Sequence, residues 1–439
     1  MKITKAHYFT LLITVFAFLL PWQTRYIFGA APIGNLVGEY GIMSVYATEL
    51  LLVVGLAVGY TWLGFPKLRQ ENRPPAIRAL ILIGAALVSV LFSTRLSLSL
   101  AQFIHVGGAL VFFLALLDPR VELKKVLLGL ASGLVLPLIL GAIQVLTGYS
   151  ASSSIFGLAT RNADHLGDSV ISLADGSRML RAYGSFSHPN VFGGYLAVGT
   201  VAAGTLWYHA RSLRYRYAYA ALAIILLLGL FLTASRSAAL GLALGTGLSL
   251  LVVRMKSVAA ARIAVIPIAV FVIGGALGLT IFAPGVAADT RGGGVNETRS
   301  IEERAAQYVE FGNVEKKSSP LQVLVGHGVG TYTFEVAKIF PGRDVFAYQP
   351  VHSMPLLVFF DVGIIGCILI IVWQTTIDKM NFARFPKRDA VSAFAMGNVV
   401  LVILFFDHYI WSSWSGLALI AFVMALTVRM GEPEHTDVS

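Results

Sequence analysis

The chain is patterned as long apolar blocks separated by short polar breaks. Apolar runs fall near 8–21, 43–62, 77–93, 98–117, 126–147, 191–208, 218–233, 237–253, 263–283, 354–373, 391–406 and 411–428. Each is about the length a helix needs to cross a hydrocarbon core roughly 30 Å thick. None alternates polar and apolar over about ten residues, as a transmembrane β-strand would. The pattern predicts an all-α, polytopic membrane helix bundle of about twelve transmembrane helices, one membrane domain over 1–439. Two connecting segments, 148–190 and 284–352, are too long to be turns. Loops of more than about 15 residues without regular structure are uncommon unless they serve function.

Composition narrows the class. Hydrophobic residues make up 56% of the chain and charged residues 13%, and the mean hydropathy is +0.76. A soluble domain, a disordered chain and a secreted disulfide scaffold are excluded, since none could keep that much apolar surface from water. Cys367 is the single cysteine, so intramolecular disulfides and cysteine metal clusters are excluded as well.

The net charge of +10 would suit a nucleic-acid partner, but its placement argues otherwise. With the N-terminus cytoplasmic, the inner segments hold Lys2 and Lys5, Lys67 to Arg78, Arg120 to Lys125, Arg211 to Arg216, Arg254 to Arg262, Lys379 to Arg388, and Arg429. The short outer loops hold Arg25, Arg95 and Arg236. This is the positive-inside bias; it puts both termini in the cytoplasm and calls for no polyanion. The first span follows two lysines as a signal peptide would, yet no small-residue cleavage site follows Pro21-Trp22, so it is read as a retained helix.

Chemistry is expected in the two long outer segments. In 284–352, Ser300 and Glu303 read as a capping box opening a helix. On that helix Ile301, Ala305, Tyr308 and Val309 would share an apolar face, with Arg304 at its border one turn before Tyr308. Arg236, in LFLTASRSAALG, joins two spans with almost no loop, and a cation at that depth needs a partner or a polar cavity. His352, opening HSMPLLVFFDVGIIG, can exchange a proton near neutral pH. His188 precedes Pro189 and Asn190 at a helix start. The GHGVG string at 326–330 resembles a phosphate loop but lacks the lysine and hydroxyl of a Walker motif. Asp407 and His408 read as an interfacial pair in a Trp/Tyr belt. No metal-ligand motif appears, so neither metal nor cofactor is expected.

Taken together, RAYGSFSHPNVFGGYLA, TASRSAALG, the arginine-bearing helix followed by PLQVLVGHGVGTYTF, and HSMPLLVFFDVGIIG resemble the O-antigen ligase family of the O-antigen ligase and polymerase superfamily. The last string matches that family's spacing at His352, Ser353, Leu356 and Gly363, with Ser353 in place of the commoner asparagine. The resemblance implies a GT-C-like fold with short helices in a large extracytoplasmic loop. The implied enzyme is a metal-independent, inverting glycosyltransferase of the bacterial inner membrane, working on the periplasmic face. It would pass a glycan from undecaprenyl pyrophosphate to lipid A core or a related glycolipid or surface acceptor. Its partners would be that donor, the acceptor and the lipid bilayer, with no nucleic acid. Carried onto this chain, the catalytic set is His352, Arg236 and Arg304, and the substrate-binding set is Arg181, His188, Asn190, Tyr308 and Ser353. An O-antigen polymerase is the nearest alternative; a transporter or flippase is a more distant one.

Overall fold

A computed structural model describes residues 5–172, 177–254, 294–384 and 388–430. The bundle is built from α1 (Lys5–Leu19), α2 (Ala47–Leu63), α3 (Arg73–Leu91), α4 (Leu96–Leu116), α5 (Leu123–Gly133), α6 (Val135–Thr147), α7 (Pro189–His209), α8 (Leu213–Thr233) and α9 (Arg236–Arg254). After a gap in the description come α10 (Gly294–Glu315), α11 (Pro320–Val325), α12 (Tyr332–Ile339), α13 (Met354–Arg384), α14 (Arg388–Phe406), α15 (Tyr409–Ser412) and α16 (Trp414–Arg429). Among the described residues, seven helices are long and apolar enough to span a membrane, and three shorter apolar ones accompany them. The protein is an all-α, multi-pass membrane protein. Every expected span but one coincides with a helix or a consecutive helix pair; the run at 263–283 lies outside the described residues. The expected number of twelve is therefore not reached by this count. The run at 126–147 is divided at Leu134 into α5 and α6, next to Pro137, which has no amide to give to the helical ladder.

Two departures from expectation concern the connections. Residues 25–46 form an antiparallel hairpin, β1 (Arg25–Ala30) with β2 (Ile42–Tyr46), so the start of the expected span at 43–62 is strand and its helix begins at Ala47. The second concerns α10, which begins at Gly294, so Ser300 lies inside the helix and does not cap it. Its protein-facing side is also rotated from the predicted one. Phe311 and Val314 are buried, and Arg304, Gln307 and Tyr308 are partly buried, whereas Ala305 and Val309 face outward. The turned-in residues recur at i, i+3, i+4, i+7 and i+10, which is one helical stripe. It carries polar groups because it faces a polar cluster and not hydrocarbon.

The centre of the bundle is α7. Within its apolar window 72% of residues are buried, against 22% for α8, which therefore presents most of its surface to lipid. Close packing around the start of α7 depends on Gly193 and Gly194. A Cβ on the first would lie 2.7 Å from Ser235 Cβ, and one on the second would overlap the Tyr409 hydroxyl. The N-terminus of α7 is thereby held against both the α8–α9 turn and α15.

One end of the bundle gathers the long connections. Thr24 Oγ1 donates to the Ile155 carbonyl at 2.6 Å, Ser185 Oγ to Pro21 at 2.7 Å, and Thr94 Oγ1 to Glu335 Oε1 at 3.1 Å. At the other end arginines close helix C-termini. Arg429 Nη1 donates to the carbonyls of Leu116, Asp118 and Val121 at 2.8–3.0 Å, and Arg120 Nη1 to that of Gly64 at 3.0 Å.

Candidate active site

The loop-bearing end holds a buried polar cluster whose members come from four separate stretches of chain. His188 caps α7. Its Nδ1 accepts the Asn190 backbone N–H at 3.1 Å, so the ring proton sits on Nε2 and is donated to Ser169 Oγ at 3.0 Å. The Asn190 side chain bridges two charges: Oδ1 accepts from Arg181 Nη2 and Nδ2 donates to Asp407 Oδ2, both at 2.7 Å. Arg181 spends its Nε on the Thr233 carbonyl at 2.7 Å, at the C-terminal end of α8, where an exposed carbonyl dipole attracts a cation. Asp407 takes a second bond, from the His408 backbone N–H at 2.9 Å. His408 Nδ1 lies 2.7 Å from Ser412 Oγ. The His352 ring stands nearly edge-on to that of His408, with centroids 4.9 Å apart. Gln307 of α10 meets His352 at both its backbone N (3.1 Å) and Nδ1 (2.7 Å).

Local sequence explains how these groups are brought together. Only Ala234 and Ser235 separate α8 from α9, and Ala234 adopts φ 49°, a left-handed conformation that is strained for a residue with a Cβ. This reversal sets Arg236 on the first turn of α9. The His352 end is fixed by Gly363, at φ 65°, where α13 changes direction. A Cβ there would lie 2.5 Å from the Leu324 carbonyl oxygen, so the glycine of the His-to-Gly spacing is demanded by backbone geometry. The glycine turn at 326–330 grips this elbow: His327 N donates to the Phe360 carbonyl at 2.9 Å, and the His327 ring stacks on Phe360 at 4.1 Å. GHGVG is thus a clamp on α13. Asp361, on the same elbow, accepts from Trp411 Nε1 at 2.7 Å and Gly330 N at 3.2 Å, tying α13 to the segment that carries His408.

The electrostatics follow from burial. Burial lowers His188 to about 3, with Arg181 adding to the shift. Burial likewise lowers His352 and His408; for His352 the His408 ring adds to the effect and Asp407 opposes it. These imidazoles are therefore neutral at pH 7. Burial alone would raise Asp407, but His408, His352, His188 and the Asn190 hydrogen bond outweigh it and hold the carboxyl below its usual range. Burial lowers Arg304, and Arg236 adds to this while Asp407 and Tyr308 oppose it. An arginine remains charged through such a shift. Tyr308 is raised by burial, with Arg304 opposing.

The structure thus gathers Arg181, His188, Asn190 and His352 into one cluster, with Arg304 and Tyr308 at its edge. Arg236 is exposed but within electrostatic reach of Arg304. Ser353 is buried immediately after His352. Asp407 and His408, which the sequence pattern reads as a pair in an aromatic belt, are buried within the protein, at 4% and 7% exposure. Aromatic neighbours suggested a membrane belt, and only the fold shows that the acid turns inward. Gln307 had no sequence signal beyond its spacing of three from Arg304.

Ligand atoms of His352, Asp407 and His408 lie within 4.8 Å of one another, a donor set that a cation could use. Against that use, both Asp407 oxygens already accept hydrogen bonds, and the Arg304 charge stands beside them. The arrangement is better suited to handling a proton beside a bound anion.

A family model described as O-antigen ligase matches residues 221–371. That span contains Arg236, Arg304, Gln307 and His352, while Arg181, His188, Asn190, Asp407 and His408 lie outside it. No curated protein matches the chain.

Proposed function

We propose, on the premise that residues 221–371 match a family model described as O-antigen ligase, that the protein is an O-antigen ligase/polymerase-type membrane glycosyltransferase that moves a glycan from undecaprenyl pyrophosphate to a hydroxyl of an outer-face acceptor, lipid A core or a related surface molecule. The observation that carries the proposal is the meeting of arginines, neutral histidines and an ionised aspartate in one buried cluster at the loop-bearing end.

His352 takes the proton of the acceptor hydroxyl as its oxygen attacks the anomeric carbon. The bond from that carbon to the phosphate oxygen breaks, its electrons leave with undecaprenyl pyrophosphate, and a single displacement inverts the anomeric centre. General-base assistance of this kind contributes about 10²–10⁴ in rate. Arg304 and Arg236, with Arg181 behind them, receive the charge that grows on the diphosphate. Arginine suits this task because its forked donors match paired oxygens. One preorganised donor in a dry site is worth roughly 3–4 kcal/mol at the transition state. Asp407 keeps the proton gained by His352 favourable without becoming protonated. Asn190, with both ends of its amide already engaged, orders Arg181 and Asp407, while Tyr308 borders the substrate from the edge of the cluster and Ser353, next to His352, assists in binding it. No step needs a metal.

In this reading α10 and the chain just before α13 supply Arg304 and His352, and the span helices offer an apolar bed for the lipid tail. The deciding experiment is purified protein in proteoliposomes with a defined lipid-diphosphate glycan and a panel of acceptors. Transfer to a glycolipid hydroxyl that is lost in His352→Ala supports the ligase reading. Growth of the donor glycan on itself supports the polymerase alternative. Vectorial movement of the donor without bond formation would overturn both.

A further inference from the structure

We propose that Gln307 is a positioning residue that fixes the tautomer of His352, keeping the ring proton on Nδ1 so that Nε2 offers its lone pair to the acceptor hydroxyl. The inference rests on the function proposed above and adds a residue to it.

The argument uses two bonds to one atom. Gln307 Oε1 lies 3.1 Å from the backbone N and 2.7 Å from Nδ1 of His352. A backbone N–H can only donate, so the amide atom facing it must be the carbonyl oxygen. That oxygen can only accept, so Nδ1 must bring a hydrogen. Burial keeps the imidazole neutral, and a neutral ring protonated on Nδ1 is bare on Nε2. Gln307 sits three residues after Arg304 on the inward stripe of α10. One helix therefore supplies both the cation that opposes the leaving group and the oxygen that orients the base. The other titratable groups bearing on His352 are His408 and Asp407 before α15, Arg304 on α10 and His188 at the start of α7.

A purely structural role, in which Gln307 only accepts the backbone N–H, makes different predictions. Gln307→Glu preserves an acceptor for both bonds while placing a negative charge against Nδ1–H. If Gln307 sets the tautomer, that charge raises the His352 pKa, and the acid limb of kcat/KM moves upward by about one pH unit. Gln307→Met keeps the volume and removes the acceptor. Its kcat should fall at least ~30-fold, with KM changed less than about threefold. In proteoliposomes of full-length protein with ¹⁵N-labelled histidine, the His352 signals should report a protonated Nδ1 and a bare Nε2, and Gln307→Met should lose that preference.

A Met variant within about threefold of the parent kcat, a Glu variant with the parent pH profile, or a His352 resonance protonated on Nε2 would each overturn the inference. The underlying reading fails separately, if His352→Ala retains transfer. An inactive His352→Ala alongside unaffected Gln307 variants removes only the role given to Gln307.

Discussion

The two ends of this bundle use arginine in opposite ways. At the end away from the long loops, Arg429 donates to three carbonyls and Arg120 forks onto Asp118 while also reaching Gly64. Arg384 reaches the Val428 carbonyl, again at a helix terminus. These guanidiniums satisfy backbone groups that a helix end leaves open. At the loop-bearing end, Arg304 and Arg236 lie within reach of each other's charge, and Arg304 also within reach of Asp407 and of the His352 and His408 rings. In the proposed reaction the anion these two cations receive is the donor's diphosphate. Arg181 spans the two modes, with one donor on the Thr233 carbonyl and another on Asn190.

If this contrast is correct, substitutions at the two ends divide into catalytic and structural losses. The largest effect is expected for His352→Ala, a fall in kcat of about 10²–10⁴ with unchanged thermal stability, checked by glycan transfer and a melting assay on the same preparation. Arg304→Ala should lower kcat/KM by about 10²–10³ and Arg304→Lys by less, since lysine keeps the charge but not the fork. Arg429→Ala should reverse the pattern. It leaves three carbonyls without that donor and should lower stability by about 1–3 kcal/mol, with transfer per folded molecule changed less than about twofold. A loss of activity without a loss of stability there would break the comparison.

Smaller effects sharpen it. Chelator treatment should leave the transfer rate within about twofold, because arginines and not a cation meet the leaving group; inhibition reversed by added Mg²⁺ or Mn²⁺ would contradict this. The pH dependence of stability has a definite sign. His188 titrates near 3 when folded, against about 6.5 in the unfolded chain. Below pH 6.5 the unfolded chain therefore binds a proton that the folded one refuses, and stability falls as pH drops from 6.5 towards 3, by at most about 1.4 kcal/mol per pH unit. Above pH 6.5 this contribution is flat. In His188→Asn, melting curves between pH 7 and pH 5 should show a shallower decline than in the parent.

The span pattern was legible because hydrocarbon thickness sets block length, and twelve blocks were visible without any contact information. Arg236 stood out in the sequence as a charge at the junction of two spans, whereas Arg304 and His352 lay in the long outer segment and were singled out as a set through the family resemblance. The orientation of α10 was not. Its apolar residues suggested a face through Ala305 and Val309, but the energy lies in turning Arg304, Gln307 and Tyr308 towards the cluster and seating Phe311 and Val314 below them. Asp407 and His408 were hidden by neighbouring aromatic residues, since a membrane belt and a buried aromatic lining share one composition. The hairpin at 25–46 was missed because one exposed hairpin gives too short an alternation to stand out between two spans. The ninth expected span, at 263–283, falls outside the described residues.

Gly363 works as a ruler mark. It lies eleven positions beyond His352, and the clamp from 326–330 pins α13 at this corner, so the length of chain between corner and imidazole sets how far the ring projects towards its partners. Inserting or deleting one residue in that interval would rotate the histidine by about 100° around the helix axis, pointing it away from the cluster even with every side chain unchanged. Spacing in this stretch is therefore as much a part of the chemistry as the residues at its two ends.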